Sequence, residues 1–386
     1  MEIKITDIEI YLFKNSIQKE LKFPVASYVL TGFIFFKVKT NIGIYGFGEP
    51  SPYGGNTKNT LKIFKKYLFP YVINKKIELI NINFFKKFDF FKKNEIILRT
   101  IIAGLDQAIW DIKAKIKGKP LFKILSKRKK NKNLKLYASG GMIFDYQNYD
   151  YLINEALKFK NLGFYGYKFR PSISKKKQSH FLRNKYPPDF DTNKFLKFFY
   201  KIRKSVGDDF NLMVDFGCRI KSIKQFRYIS DCMSELNFFF MEEPMKRNIE
   251  LYKRLMKNSK IDIATGETIS SIKRLSKWKS SCNIIQPDSN LITISELMDI
   301  KKNSKKYNQN IILHNWANPI SMLSNFHVSK ALGCELIEYN ITYNPFSRII
   351  PDNTIKINKG LFTHSSLSGL GIELNNNIIN KYRIKI

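Results

Sequence analysis

Acidic residues, cysteines and long apolar runs are all scarce in this chain, and each shortage narrows what it can be. Its 386 residues carry 32 Asp and Glu against 67 Lys and Arg, a formal charge of +35. The four cysteines, Cys218, Cys232, Cys282 and Cys334, form no Cys-x-x-Cys pair, which excludes a disulfide-dense secreted scaffold and leaves reduced thiols. No stretch approaches the roughly 18 uninterrupted apolar residues of a membrane helix. The opening Met-Glu-Ile-Lys-Ile-Thr-Asp has no apolar signal segment. A cytoplasmic protein with no membrane partner is expected.

The charge admits two readings. One is a polyanion-binding surface for nucleic acid or acidic lipid. The other is a bias toward Lys, Asn, Ile and Phe along the whole chain, which leaves solvated lysines without a specific partner. Lysines occur in every region, and the longest basic run, Lys127 to Lys132, lies between elements with no nucleic-acid-binding signature beside it. No specific nucleic-acid partner is therefore expected, and a non-catalytic polyanion-binding protein is the outside alternative.

What is present is globular. Hydrophobic residues make up 44% and aromatics 14%. The length exceeds the roughly 250–300 residues at which one core stops growing, so two domains are expected. Residues 3–13 and 32–40 are rich in β-branched and aromatic side chains, with turns at Gly43, Gly46 and Gly48. From 57 to 116 the pattern turns helical, most clearly where Ile97, Ile101, Leu105, Ala108, Ile109 and Ile112 recur at three and four. The opening third is α+β.

After the basic run, eight short apolar runs alternate with helical segments, beginning at Leu134. Their ends carry Lys168 and Arg170, then Asp215, Glu242, Glu267, Asp288, His314 and Glu338, the last six at intervals of 21 to 27 residues. Alternating strands and helices imply a parallel sheet closed as a (β/α) barrel, in which functional groups collect at the carboxyl ends of the strands. The long interval between Arg170 and Asp215 holds an insertion over 171–190, with His180, Arg183 and Asn184. It reads either as a substrate-contacting flap or as a solvated loop.

Asp215, Glu242 and Glu267 come from three successive strands. Carboxylates crowded in this way call for a cation, and an all-oxygen set suits Mg²⁺. Asp288 and His314 come from the next two strands, and an Asp holding the imidazole N–H prepares a general base. Lys168 and Arg170 alternate on one strand, so both face a substrate carboxylate or developing negative charge, although arginine is a poor proton acceptor.

The ordered motifs Lys-x-Arg, Val-Asp, Glu-Glu-Pro, Gly-Glu, Gln-Pro-Asp, His and Glu resemble the mandelate racemase/muconate lactonizing enzyme family of the enolase superfamily. So do Ala103-Gly-Leu-Asp-Gln-Ala-Ile-Trp-Asp-Ile-Lys and Gly369-Leu-Gly-Ile-Glu. The resemblance implies an α/β fold: a modified TIM (β/α) barrel over 126–365 with an α+β capping domain over 1–125, to which 366–386 return. It also implies Mg²⁺ on Asp215, Glu242 and Glu267, and removal of the proton α to a substrate carboxylate. Glu338 stands where the family places an acid that hydrogen-bonds that carboxylate; Asn315, Tyr28 and Tyr53 are further expected substrate contacts, and a homo-oligomer is expected.

Two departures matter. Arg170 stands where family racemases commonly have a second lysine, which points away from two-base racemisation and toward one-base dehydration of a sugar acid. An epimerase or racemase of a 2-hydroxy acid is the alternative, with Lys168 as a second base. Gly217 stands where an Asn is common.

Overall fold

Alternating Phe, Ile and Tyr favour extended chain over residues 5–13 and 33–40. The structure is a computed structural model and describes residues 2–13, 33–50, 57–86, 91, 95–126, 133–141, 149–171, 190–300, 308–316, 318–342, 355–364 and 367–384. Tyr28, Tyr53, the basic run and the insertion with His180, Arg183 and Asn184 lie outside the described residues. Strands β1 (Ile5–Phe13), β2 (Phe33–Thr40) and β3 (Tyr45–Gly48) form an antiparallel sheet, and the C-terminal Arg383–Ile384 pairs with Phe13 and Leu12 on its other edge. Helix α1 (Thr57–Ile63) runs on through a wide π turn toward Val72 rather than continuing regularly.

Helix α2 (Glu95–Ile116) then covers the sheet with Leu98, Ile101, Leu105 and Ile112. Strand β3 lies almost on its backbone. A Cβ on Gly48 would stand 1.7 Å from the Gly104 carbonyl oxygen, and one on Gly46 would stand 2.1 Å from that of Ala108. Only residues without side chains permit that approach.

Eight parallel strands follow: β4 (Leu134–Ser139), β5 (Gly166–Phe169), β6 (Asn211–Asp215), β7 (Phe240–Glu242), β8 (Asp262–Thr265), β9 (Ile284–Ile285), β10 (Asn310–Ile311) and β11 (Leu336–Asn340). Each pairs with its neighbour as far as β10, and β11 returns to β4 with Glu338 opposite Tyr137. Asn315 bridges the remaining gap: its N–H donates to Glu338 Oε2 at 2.9 Å and its Nδ2 to the Glu338 carbonyl at 3.0 Å. The fold is the expected modified (β/α) barrel with an α+β capping domain.

Among the described residues, these strands are separated by the α-helices α3 (Asp150–Asn161), α4 (Thr192–Val206), α5 (Ile223–Glu235), α6 (Ile249–Asn258), α7 (Ile272–Leu275), α8 (Ile294–Leu297) and α9 (Pro319–Leu332). Their starts are written in the sequence. Asp191, Ser222, Asn248 and Ser271 each accept the N–H three residues on, and Thr293 with Glu296 forms a capping box. Among the described residues no helix is long and apolar enough to cross a membrane.

The two-residue strand period sets the layers inside the barrel. Tyr137, Met213, Phe240, Ala264, Ile284, Ile312 and Leu336 pack together as a separate core. Two residues further along, all but one of those positions carry Ser139, Asp215, Glu242, Gln286, His314 and Glu338, and Lys168 follows Gly166 in the same way. A polar layer thus rests on an apolar plug. The exception is β8, where Gly266 adopts φ +131° and Glu267 reaches the layer one residue late.

Candidate active site

His314 lies three residues beyond β10 and Asp288 three beyond β9, both buried. His314 Nδ1 is 2.7 Å from Asp288 Oδ2, so the carboxylate claims that nitrogen and leaves Nε2 facing the site. Nε2 is 3.2 Å from Glu267 Oε2 and 3.9 Å from Glu338 Oε2. Burial alone would disfavour the imidazolium, but Glu338, Glu267 and Asp288 together outweigh it and push His314 up to about 10.

The cations are already engaged. Lys168 Nζ sits between Glu242 Oε2 at 2.5 Å and Glu338 Oε1 at 2.7 Å. Its desolvation is outweighed by those two charges, so it stays protonated well above the ordinary lysine range. Arg170 Nε bonds Asp215 Oδ2 at 2.8 Å, its Nη1 donates to the Gly140 carbonyl at 3.1 Å, and the guanidinium stacks 4.6 Å from the centre of the Trp316 ring. Arg247 joins Glu243, through Nε to Oε1 at 2.5 Å, to Glu267 Oε1 at 3.2 Å.

Asp215, Glu242 and Glu267 therefore face separate cations. Among the described residues no three His, Cys, Asp or Glu side chains form a ready-made ligand cluster. The site is nonetheless short of positive charge. Among the described residues, Asp215, Glu242, Glu243, Glu267, Asp288 and Glu338 face Lys168, Arg170, Arg219 and Arg247, two fewer charges than their own when His314 is neutral.

Burial and that imbalance raise Glu243 to about 8 and act on Glu242 as well. Burial first, then Asp215, Glu338 and Glu267 against Lys168, raise Glu242 to about 7, and its Oε1 is buried without a hydrogen-bond partner. An all-oxygen, anion-rich layer with an orphaned carboxylate oxygen fits a hard divalent ion. Glu338 differs: Lys168, His314 and the Asn315 N–H overcome its burial and hold it well below the usual carboxylate range. Its Oε2 accepts the Asn315 N–H at 2.9 Å.

Comparison with known proteins decides the family. Residues 7–126 match the model of the mandelate racemase/muconate lactonizing enzyme N-terminal domain, and residues 152–378 match the enolase C-terminal domain-like model. The chain belongs to the mandelate racemase/muconate lactonizing enzyme family. Among its relatives are an arabinonate dehydratase of Saccharolobus solfataricus, 26% identical over 90% of both chains, and a D-galactonate dehydratase of Xanthomonas oryzae pv. oryzae, 24% identical over 90% of both. The solved 3,6-anhydro-D-galactonate cycloisomerase of Zobellia galactanivorans superposes with a TM-score of 0.80 at 22% identity, covering 99% of this chain and all of that one.

Within this family frame, Lys168, Arg170, Asp215, Glu242, Glu267, Asp288, His314 and Glu338 all reach one rim. Asn315 is buried and occupied with Glu338 and Asn325, so here it is a brace. Gly217 has φ +50°, a region open to Gly and Asn, which accounts for the replacement without a change of backbone. Sequence reasoning passed over Ser139, whose hydroxyl lies buried in the polar layer, as well as Gln286, which donates to Glu242 Oε2 at 2.9 Å, and Arg247. The first two could have been found by counting two residues on from each apolar plug position. Arg247 follows the Glu-Glu-Pro turn and carried no such signal.

Proposed function

We propose that this family member is a Mg²⁺-dependent dehydratase of a sugar acid, an aldonate or aldarate, which removes the α-proton and gives a 2-keto-3-deoxy acid. The observation that carries the reading is the buried His314–Asp288 pair at 2.7 Å combined with an Arg170 tied to Asp215: the site holds one base where racemisation needs two. The relatives named for arabinonate and galactonate dehydration support the substrate class.

Asp215, Glu242 and Glu267 would hold the ion, whose charge stabilises the anion that develops on the substrate carboxylate when the α-proton leaves. Asp288 fixes the tautomer, and His314 Nε2 takes the α-proton. The resulting imidazolium then protonates the β-hydroxyl as its C–O bond breaks, water departs, and the enol tautomerises to the keto acid. Lys168, steadied by Glu338, pairs with the substrate carboxylate.

The test is incubation of purified protein and Mg²⁺ with a library of aldonates and aldarates that includes arabinonate and galactonate, with keto acid read by semicarbazide. Turnover on at least one acid, abolished in His314→Asn, is expected. No keto acid from any member would sink the reading.

A further inference from the structure

Asn325 lies on α9, outside the set of residues given a role above, yet its side chain touches two parts of the site at once. It is fully buried. Its Oδ1 accepts the Ser289 N–H at 3.0 Å, and because a backbone N–H can only donate, this contact fixes which end of the amide is oxygen. The Nδ2 end then donates to Asp288 Oδ1 at 3.1 Å and to Asn315 Oδ1 at 3.2 Å.

We propose that Asn325 is a positioning residue that locks the His314–Asp288 pair and the Asn315–Glu338 pair into one rigid unit. Asp288 has two oxygens to restrain. Oδ2 meets His314, while Oδ1 is anchored by the Asn290 N–H at 2.8 Å and by Asn325. Remove the amide and one anchor of Oδ1 is lost, so the carboxylate can swing and carry the imidazole with it. The same loss leaves Asn315 Oδ1 without this donor, on the side chain whose Nδ2 holds the Glu338 carbonyl. Three contacts on one flat carboxamide set the base and the neighbouring acid in a single geometry. The hydroxyl of Ser324, the adjacent residue of the same helix, accepts that of Ser289 at 3.3 Å, and Ser324 provides a neighbour of equal burial that touches neither Asp288 nor Asn315 among the described contacts.

The experiment needs neither substrate nor metal. In the full-length ¹⁵N-histidine-labelled protein at one fixed pH, the hydrogen-bonded Nδ1 proton of His314 gives a low-field resonance, identified among the four histidines by its loss in His314→Asn. Asn325→Ala and the volume-matched Asn325→Leu are expected to lose that resonance or move it upfield while near-UV circular dichroism is kept. Ser324→Ala is expected to leave it in place. With a turned-over sugar acid, kcat in the Asn325 variants is expected to fall about 10-fold or more, with KM less affected. An unmoved resonance in folded Asn325→Leu, an equal loss in Ser324→Ala, or unfolding of both Asn325 variants would each overturn the proposal. The turnover arm rests on the dehydratase reading and the spectroscopic arm does not. Lost resonance with no turnover on any acid therefore upholds Asn325 and removes only that reading.

Discussion

In the proposed dehydratase, Arg170 sets how many faces of the α-carbon can be deprotonated. Its guanidinium is fixed by Asp215, the Gly140 carbonyl and Trp316, and arginine does not release a proton in proteins. The Lys-x-Arg departure was legible in the sequence. What surrounds the guanidinium was not, because Gly140 and Trp316 come from the segments that follow other strands. Arg170→Lys should lower dehydration on the order of 10-fold through loss of a charge-assisted hydrogen bond. It should also add α-proton exchange on the opposite face, read as deuterium in substrate recovered from D₂O. Exchange confined to one face in that variant would mean that residue 170 does not control the number of bases.

At the scale of elements, α2 explains why a helix of the capping domain carries buried charges. Its apolar face follows the helical period that the sequence displays, whereas Asp106 and Gln107 reach barrel residues and Asp111 reaches β3 and the C-terminal segment. Asp106 accepts the Ser295 hydroxyl at 2.8 Å, Gln107 meets the Glu49 N–H at 3.0 Å and the Ser289 carbonyl at 3.2 Å, and Asp111 takes the N–H groups of Phe47 at 2.9 Å and Leu370 at 2.7 Å. Glu49 completes the clasp by accepting the Ser321 N–H at 3.0 Å and Asn318 Nδ2 at 3.2 Å, at the start of α9.

Burial raises Glu49 to about 7 against these hydrogen bonds, and raises Asp106 to about 6. A folded-state value above the unfolded one means that the stabilisation is complete below about pH 4.5 and is lost as pH rises through about 7. Relative to Glu49→Gln, which does not titrate, the wild type should lose on the order of 3 kcal/mol of unfolding free energy between about pH 4.5 and pH 8. Denaturant midpoints of both proteins across that range provide the check, and parallel pH profiles would show that Glu49 titrates in the folded clasp as it does in the unfolded chain.

Across the whole molecule the charge is inverted between surface and site. The chain carries +35, yet its polar layer is an excess of buried carboxylates whose mutual repulsion opposes folding. A divalent ion that binds only the folded site should therefore raise the thermal midpoint in step with the logarithm of its concentration. We expect that rise with Mg²⁺ in substrate-free wild type, followed by differential scanning calorimetry, and its loss in Asp215→Asn combined with Glu267→Gln. A midpoint indifferent to Mg²⁺ in the wild type would count against these residues as the ion's ligands.

The sequence by itself determined the alternation of strands and helices, the helix starts at Asp191, Ser222, Asn248, Ser271 and Thr293, and the order in which the charged strand ends appear. These are local properties, set by a period of two or of about three and a half and by side chains that bond their own neighbours. Only the tertiary structure decided which charge faces which: Lys168 between Glu242 and Glu338, Arg170 on Asp215, and Asn325 reaching two loops from a buried helix. Those pairings join residues from 10 to 170 positions apart, and they depend on barrel closure, which no local period encodes.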